Sequence, residues 1–414
     1  MNSPVPEGWE IKPLFDLAIV DRASLKNSTK PDYRFRYIDI ASVKTGEINI
    51  PSEHITFSDA PSRARKQIKK GDVLMSTVRP NLQAFAYFNE EGDDFVASTG
   101  FAVITANNFS DARFIYQSIL SDDVSRQIAA LVAGSNYPAI SSSNVKNLEI
   151  ITPPLPEQQK IASILSSVDN VIETTRAQID KLKVLKTGMM QELLTKGIGH
   201  TEFKDSPVGR IPSSWRYCKL GTYLFEHKVK TKQENEFEVL TSSREGLMKQ
   251  SDYYGENRLT RRSNIGFNVI PENHLTYRSR SDDNTFTFNI NKLGLTGIVS
   301  KYYPVFTCES SNGDNDFFYY LLNHYNGTLA LESVGTSQVV LSFNSLISAK
   351  LPIPPTNEQE EIKGVLLAQD NMIDCYKQKL QSAVNLKKAL MQDLLTGKVR
   401  VNVDNYNNEE RVAV

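Results

Sequence analysis

Clustered cations without a neighbouring acid suit phosphate groups, and arginine, asparagine and glutamine match the edges that bases present in a major groove. The stretch SRARKQIKK, residues 62–70, carries Arg63, Arg65, Lys66, Lys69 and Lys70, and VRPNLQ just beyond it adds Arg79 and Asn81. A comparable set stands in the second half of the chain, with Arg258, Arg261 and Arg262 in NRLTRRSN and then Arg278 and Arg280 in YRSRSDDN. Each set is followed by a short polar loop. GSNYPAISSSN has Asn136 and Tyr137 at its tip, and GTSQVVLSFN has Ser337 and Gln338. These residues are the candidate nucleic-acid contacts. Solvated surface strands and ordinary polar turns have the same composition. What favours contact is that both features occur twice, at similar places.

Other chemistry finds little support. There is no G-x-x-x-x-G-K-[ST] loop for a nucleotide, no glycine-rich strand-to-helix turn for a methyl donor, and no N-P-P-Y-like tetrapeptide for methylating a base amino group. His54, His200, His227, His274 and His324 are scattered without ligand spacing. Cys218, Cys308 and Cys375 lie far apart, as buried thiols in a reducing compartment would. The formal charge of -1 excludes a protein that coats nucleic acid through bulk basicity. No run of about 18 apolar residues occurs, so the expected location is cytoplasmic.

The elements that must position the candidate residues are announced by an internal repeat. PPLPEQQKIASILSSVDNVI, from Pro153 to Ile172, returns as PPTNEQEEIKGVLLAQDNMI, from Pro354 to Ile373. LKTGMMQELLT ending at Thr195 returns as LKKALMQDLLT ending at Thr396. Gly134 and Ser141 have Gly335 and Ser342 as counterparts, and the openings PEGWEIKPL and PSSWRYCKL echo one another around Trp9 and Trp215. GDVLMSTVRP is more faintly answered by NHLTYRSRS.

Both tails read as long helices, opened by prolines and closed by Gly197 and Gly397, with Thr356 and Gln359 at capping-box spacing in the second. Apolar positions step by fours and threes through Ile161, Leu165, Val168, Ile172, Thr175, Ile179, Leu182, Lys186, Met189 and Leu193. The second seam runs through Ile362, Leu366, Gln369, Ile373, Tyr376, Leu380, Ala383, Lys387, Leu390 and Leu394. This is a heptad pattern, broken by a lysine at the same point in each copy. A helix of this length extends about 55 to 60 Å and needs a partner along it. Its own duplicate, antiparallel to it, is the obvious one.

Residues 1–152 mix short β-type runs, FRYIDIASV, DVLMSTV, AFAYF and FAVIT, with a helical stretch at ARFIYQSILSDDVSRQIAALVAG. Residues 200–351 have comparable runs in FEVLTSS, HLTYRS, TFTFNI, GIVSKYYPVF and FFYYLLNHYNGTLALES. The expectation is an α+β protein with two similar domains, each with a curved and mostly antiparallel sheet. Residues 153–199 and 352–398 would carry the helices and the linker, and 399–414 a polar tail.

Over essentially its full length the chain resembles the specificity subunits of type I restriction-modification systems. The resemblance rests on PLPEQQKIA and its copy NEQEEI, the helix ends QELLTKG and QDLLTGK, the linker GIGHTEFKDSPVGRIPSSW, and KKGDVLMSTVRP, GSNYPAISSSNVKNLEI and YRSRSDD. It implies two target-recognition domains that each read half of a split, asymmetric duplex sequence. It implies paired helices that set the spacer and dock two methyltransferase subunits, with translocating nuclease subunits as further partners. S-adenosylmethionine, ATP and magnesium would then belong to the partner chains, and this chain would not be an enzyme. Two other readings stay open: a self-contained restriction-methyltransferase, and a coiled-coil scaffold without DNA specificity. The second copy departs from the first at Thr356 and Asn357, where Leu155 and Pro156 stand, and at Gln369 in its seam.

Overall fold

The computed structural model describes residues 5–132, 138–254, 263–309 and 313–403. The chain forms two compact units, one of residues 1–176 with 378–414 and the other of residues 177–377. The division falls inside both long helices, which run Leu155–Lys196 and Thr356–Leu394. Each unit therefore holds one globular domain, half of one long helix and the opposite half of the other. No helix among the described residues is long and apolar enough to cross a membrane.

In the first unit, Glu10–Pro13 pairs antiparallel with Glu149–Thr152 and joins the domain's start to its end. One four-stranded sheet is ordered Ala18–Val20, Phe101–Ala106, Val73–Ser76, Phe85–Tyr87, all antiparallel. The other is ordered Ile55–Thr56, Arg34–Ile38, Phe95–Ser98, Ala64–Ile68, with one parallel pair between Phe95–Ser98 and Arg34–Ile38. The helical stretch read as continuous is two helices, Ala112–Ile119 and Asp122–Val132, with Asp122 and Asp123 opening the second, where acids suit a helix N-terminus.

The second unit has the same plan. Arg216–Lys219 pairs with Lys350–Ile353. One sheet is ordered Leu224–Glu226, Val305–Cys308, Leu275–Tyr277, Phe288–Ile290. The other is ordered Gly246–Lys249, Glu238–Ser243, Gly297–Val299, Asn268–Ile270, and its parallel pair lies at the same place, Glu238–Ser243 with Gly297–Val299. The expected α+β class and shared fold are both present, and the sheet of each domain is divided in two.

Every seam position named from the heptad pattern is buried or half-buried in both helices. In the first unit Ile161, Ala162 and Leu165 share a core with Leu394 and Leu395 and with Trp9, Phe114 and Ile119 of the domain. In the second, Leu194 shares a core with Ile362 and Leu366 and with Trp215, Phe317 and Leu321. The start of one helix thus meets the end of the other, so the pairing is antiparallel within each unit.

The seam lysines have partners. Lys387 pairs with Asp169 at 2.7 Å, and Asp169 also accepts from Gln117 of the domain at 2.7 Å. In the second unit Lys186 pairs with Asp370 at 2.6 Å, and Asp370 also accepts from the Tyr320 hydroxyl at 2.7 Å. Burial, then the Asp370 contact, pushes the Tyr320 phenol up from its ordinary value. Gln369 donates to the Leu182 carbonyl at 3.0 Å, which explains a polar residue in that seam. A polar group at one seam position fixes helix register, and here it also ties the helices to the domain.

The capping box expected at Thr356 is absent. Thr356 is already helical and the residue before it is Pro355, which has no N–H for a side chain to cap. Gln359 instead donates to the Pro354 carbonyl at 3.0 Å, as Gln158 does to Pro153 at 2.9 Å. Gly197 and Gly397 end the helices in the left-handed region, at φ +66° and +69°.

Candidate nucleic-acid interface

In each domain a strand of the first sheet runs out into a basic loop, and backbone hydrogen bonds fasten that loop to the segment before the long helix. In the first domain Ile140 donates to the Thr77 carbonyl at 2.9 Å, Val78 bridges Ala139, and Arg79 N–H donates to the Pro138 carbonyl at 2.8 Å. In the second, Leu341 donates to the Ser279 carbonyl at 3.0 Å, and Arg280 and Ser281 pair with Val340 and Val339. The faint echo between GDVLMSTVRP and NHLTYRSRS is therefore a shared structural device. It brings the basic loops and the pre-helix loops together although the sequence holds them some sixty residues apart.

The helix that follows each loop is capped by a serine at the counterpart position. Ser141 accepts from Asn144 N–H and Ser342 from Ser345 N–H, which fixes the angle at which each loop arrives.

The candidate residues fare differently. Arg79 is exposed, with φ +49°, and Asn81 is exposed in the single turn Pro80–Leu82 that follows. Arg63 is exposed at the head of strand Ala64–Ile68, and its carbonyl accepts from Thr99 N–H at 2.8 Å. Next to Thr99, the Gly100 carbonyl accepts from Thr77 N–H at 2.8 Å, which links Arg63 to the Arg79 loop through two backbone contacts. Among the described residues neither Arg63 nor Arg79 has an ion-pair partner.

Three more cations of SRARKQIKK are engaged within the domain. Lys66 is 8% exposed, with its ammonium 2.8 Å from Asp21 and also donating to the Phe101 carbonyl. Arg65 is half-buried with its guanidinium over the Phe57 ring at 4.7 Å, and Lys70 pairs with Glu91 at 2.5 Å. Period-two alternation was the available signal, since it puts Lys66 on the same strand face as Ala64 and Ile68. Lys69 is exposed. Asn136 and Tyr137 lie outside the described residues, as do Arg258, Arg261 and Arg262.

In the second domain Arg278 and Arg280 are both exposed. The Arg280 guanidinium lies over the Tyr302 ring at 4.7 Å, and Lys301 lies over the same ring at 5.3 Å. Burial raises the Tyr303 phenol while the nearby charge of Arg278 opposes it. Arg244 pairs with Asp283, whose carboxyl is lowered by the Ser281 hydroxyl and then by Arg244. Gln338 donates to Asp282 at 2.9 Å, and Ser337 is exposed beside it. Tyr302, Lys301 and Arg244 come from loops distant in sequence, so no local pattern places them beside these arginines. The arrangement offers exposed cations, the Tyr302 ring and the Gln338 amide on neighbouring loops, a set that suits phosphates and base edges.

A second pair of sites lies at the helix junctions. Trp9 and Trp215 each close a turn by donating their backbone N–H to a proline carbonyl three residues back, Pro6 and Pro212, both at 3.0 Å. Each indole N–H then reaches the buried glutamate that opens a long helix, Trp9 to Glu157 at 3.3 Å and Trp215 to Glu358 at 2.9 Å. The residue three beyond each helix-ending glycine completes the contact. Arg400 grips Glu157 through both oxygens, at 2.9 and 2.5 Å, and His200 contacts Glu358 at 2.8 Å.

Comparison with known proteins agrees with this picture. A family described as type I restriction modification DNA specificity domain matches residues 6–184 and again 217–385. The MjaVIII specificity subunit of a type I restriction enzyme from Methanocaldococcus jannaschii is 30% identical over 300 residues, covering 66% of this chain and 67% of that one. A chain from the same organism assigned as the type I restriction enzyme MjaX specificity subunit is 27% identical over 431 residues, covering 96% and 95%. Among solved structures, the S subunit of a type I restriction-modification system from M. genitalium shares the fold at a TM-score of 0.56 and 14% identity, covering 95% of this chain and 97% of that one. A chain from a type I R-M complex aligns at 0.58 and 21%, covering 96% and 100%.

Proposed function

The chain belongs to the family of type I restriction-modification DNA specificity subunits, and from that premise we propose that each of its domains reads one half of a bipartite, asymmetric duplex sequence. The observation that carries this is the repeated ladder joining a basic loop to a pre-helix loop, once per domain, with different side chains on each. In this reading Arg63, Arg79 and Asn81 serve one half-site and Arg278, Arg280, Ser337 and Gln338 the other, and the long helices set the spacer between them.

The helices would also dock two methyltransferase subunits. The first unit exposes Val171 and Leu386 on its helix halves, and the second exposes their repeat counterparts Met372 and Leu185. Two equivalent apolar surfaces suit two copies of one partner. In this assignment the chain itself is non-catalytic, and S-adenosylmethionine, ATP and magnesium are used by its partners.

The test is to expose DNA to the chain together with a methyltransferase partner and sequence the product for modified bases. Methylation confined to one split sequence is the expected result. Methylation by the isolated chain, or modification without any sequence preference, would refute the assignment.

A further inference from the structure

The two joined loops of the second domain share a polar pair that the proposed DNA reading does not by itself explain. The rungs Arg280 with Val340 and Ser281 with Val339 place Asp282 opposite Gln338, whose Nε2 donates to Asp282 Oδ1 at 2.9 Å. Asp283 is turned elsewhere: its Oδ1 accepts from the Ser281 hydroxyl at 2.9 Å and its Oδ2 from Arg244. Asp282 is thus left to the amide. Both members of the pair are exposed, so the amide is accessible from solvent.

We propose that Asp282 is a positioning residue that holds the Gln338 amide in the orientation that reads adenine, an inference that rests on the DNA-reading role above. A carboxylate only accepts hydrogen bonds, so it draws Nε2 toward itself and repels Oε1. That removes the freedom of a glutamine amide to present either end. With one N–H held by Asp282, the other N–H and Oε1 stand side by side as a donor and an acceptor. Adenine offers the matching edge in the major groove, with N7 accepting and the N6 amino group donating. Guanine offers two acceptors, N7 and O6, and the fixed Oε1 would face O6. The negative charge of Asp282 also disfavours close approach of a phosphate, so the pair suits a base edge and not the backbone.

The test selects full-length chain, wild type and variant, against duplexes randomised in both half-sites, and compares base preference position by position. The wild type should favour adenine at one position of one half-site. Gln338→Ala should abolish that preference, by about 5- to 150-fold, and leave the other half-site unchanged. Asp282→Asn should weaken the adenine preference at the same position without replacing it by another base, because an asparagine can face either end of the amide and a turned amide sets its N–H against N6 and its Oε1 against N7, and Asp282→Glu should restore it. A purely structural role for Asp282 would lower binding to all sequences together without shifting one position. Unchanged preference in Asp282→Asn, or a uniform loss in Gln338→Ala, overturns the inference while leaving the DNA reading intact. A wild type that enriches no sequence removes both.

Discussion

The two domains share strand order, parallel pair, capped pre-helix turn and inter-loop ladder, yet they display different chemistry on that scaffold. The first domain draws two cations of its basic cluster inward, Lys66 on Asp21 and Arg65 over Phe57, and leaves Arg63, Lys69, Lys70, Arg79 and Asn81 outside. The second keeps Arg278 and Arg280 exposed, stacks Arg280 on Tyr302, and flanks its loop with Asp282 and Asp283. Backbone hydrogen bonds hold both loops, so their side chains are left to vary. A reading surface can then change without cost to the fold.

The junctions offer the sharpest way to break the equivalence. Glu358 accepts from Trp215, Ile198 N–H and His200, and Trp215 is fully buried. Glu358→Ala strands buried donors and should cost about 2 to 4 kcal/mol in the second unit. Glu157→Ala should cost the first unit about half as much, because Arg400 is 45% exposed and water can solvate it again. The chain's two tryptophans stand one at each junction, so denaturant unfolding followed by fluorescence in Trp9→Phe and Trp215→Phe backgrounds reads each unit separately. Equal losses would show that the junctions are interchangeable.

Next in size is the division of labour between the readers. Replacing Arg278 and Arg280 by alanine should cost about 1 to 3 kcal/mol per lost bidentate base contact and relax only one half-site. Replacing Arg63 and Arg79 should affect only the other. Selection from a library randomised in both halves measures this, and equal damage to both halves would contradict two independent readers.

Within the first domain, Lys66→Met and Arg79→Ala should separate a structural cation from a DNA-facing one. Lys66→Met should lower stability by about 1 to 3 kcal/mol, since it removes the cation that pairs with Asp21, leaving that carboxylate only the Val103 N–H and the Ser142 hydroxyl, and takes a donor from the Phe101 carbonyl, and it should leave the salt dependence of binding unchanged. Arg79→Ala should leave stability near wild type and, if the contact is to phosphate, reduce the slope of log K against log salt by about 0.9. Binding titrations at several salt concentrations decide between the two patterns.

The smallest effect is with pH. Arg36 grips Asp94 with two hydrogen bonds of 3.0 Å and His54 adds a third at 2.7 Å, which holds that carboxyl down at about 2 from 3.8. A depressed carboxyl pKa stabilises the fold fully above the unfolded value and loses that contribution as pH falls through the folded one. The first unit should therefore weaken between about pH 4 and pH 2, and Asp94→Asn should flatten that limb of a Trp9-reported acid titration. An unchanged limb would mean that the grip contributes nothing to stability.

The order of residues is enough for the periodic and the repeated: two long helices, their seam, the glycines that end them, two domains of one fold, and the family. These are legible because a helix or a strand is written in residues near one another, and because a duplicate exposes what both copies need. The lysines at equivalent points of the two seams could be seen in the sequence, but not the aspartates that receive them. Those partners, Asp370 for Lys186 and Asp169 for Lys387, stand on the other helix. Folding alone settles which cations face solvent, that Lys66 belongs to Asp21, that Gln338 meets Asp282, and that each tryptophan closes on the glutamate of a distant helix. Charge and side-chain type say what a residue is able to bind, whereas the partner it takes depends on which buried groups the fold brings within hydrogen-bonding distance.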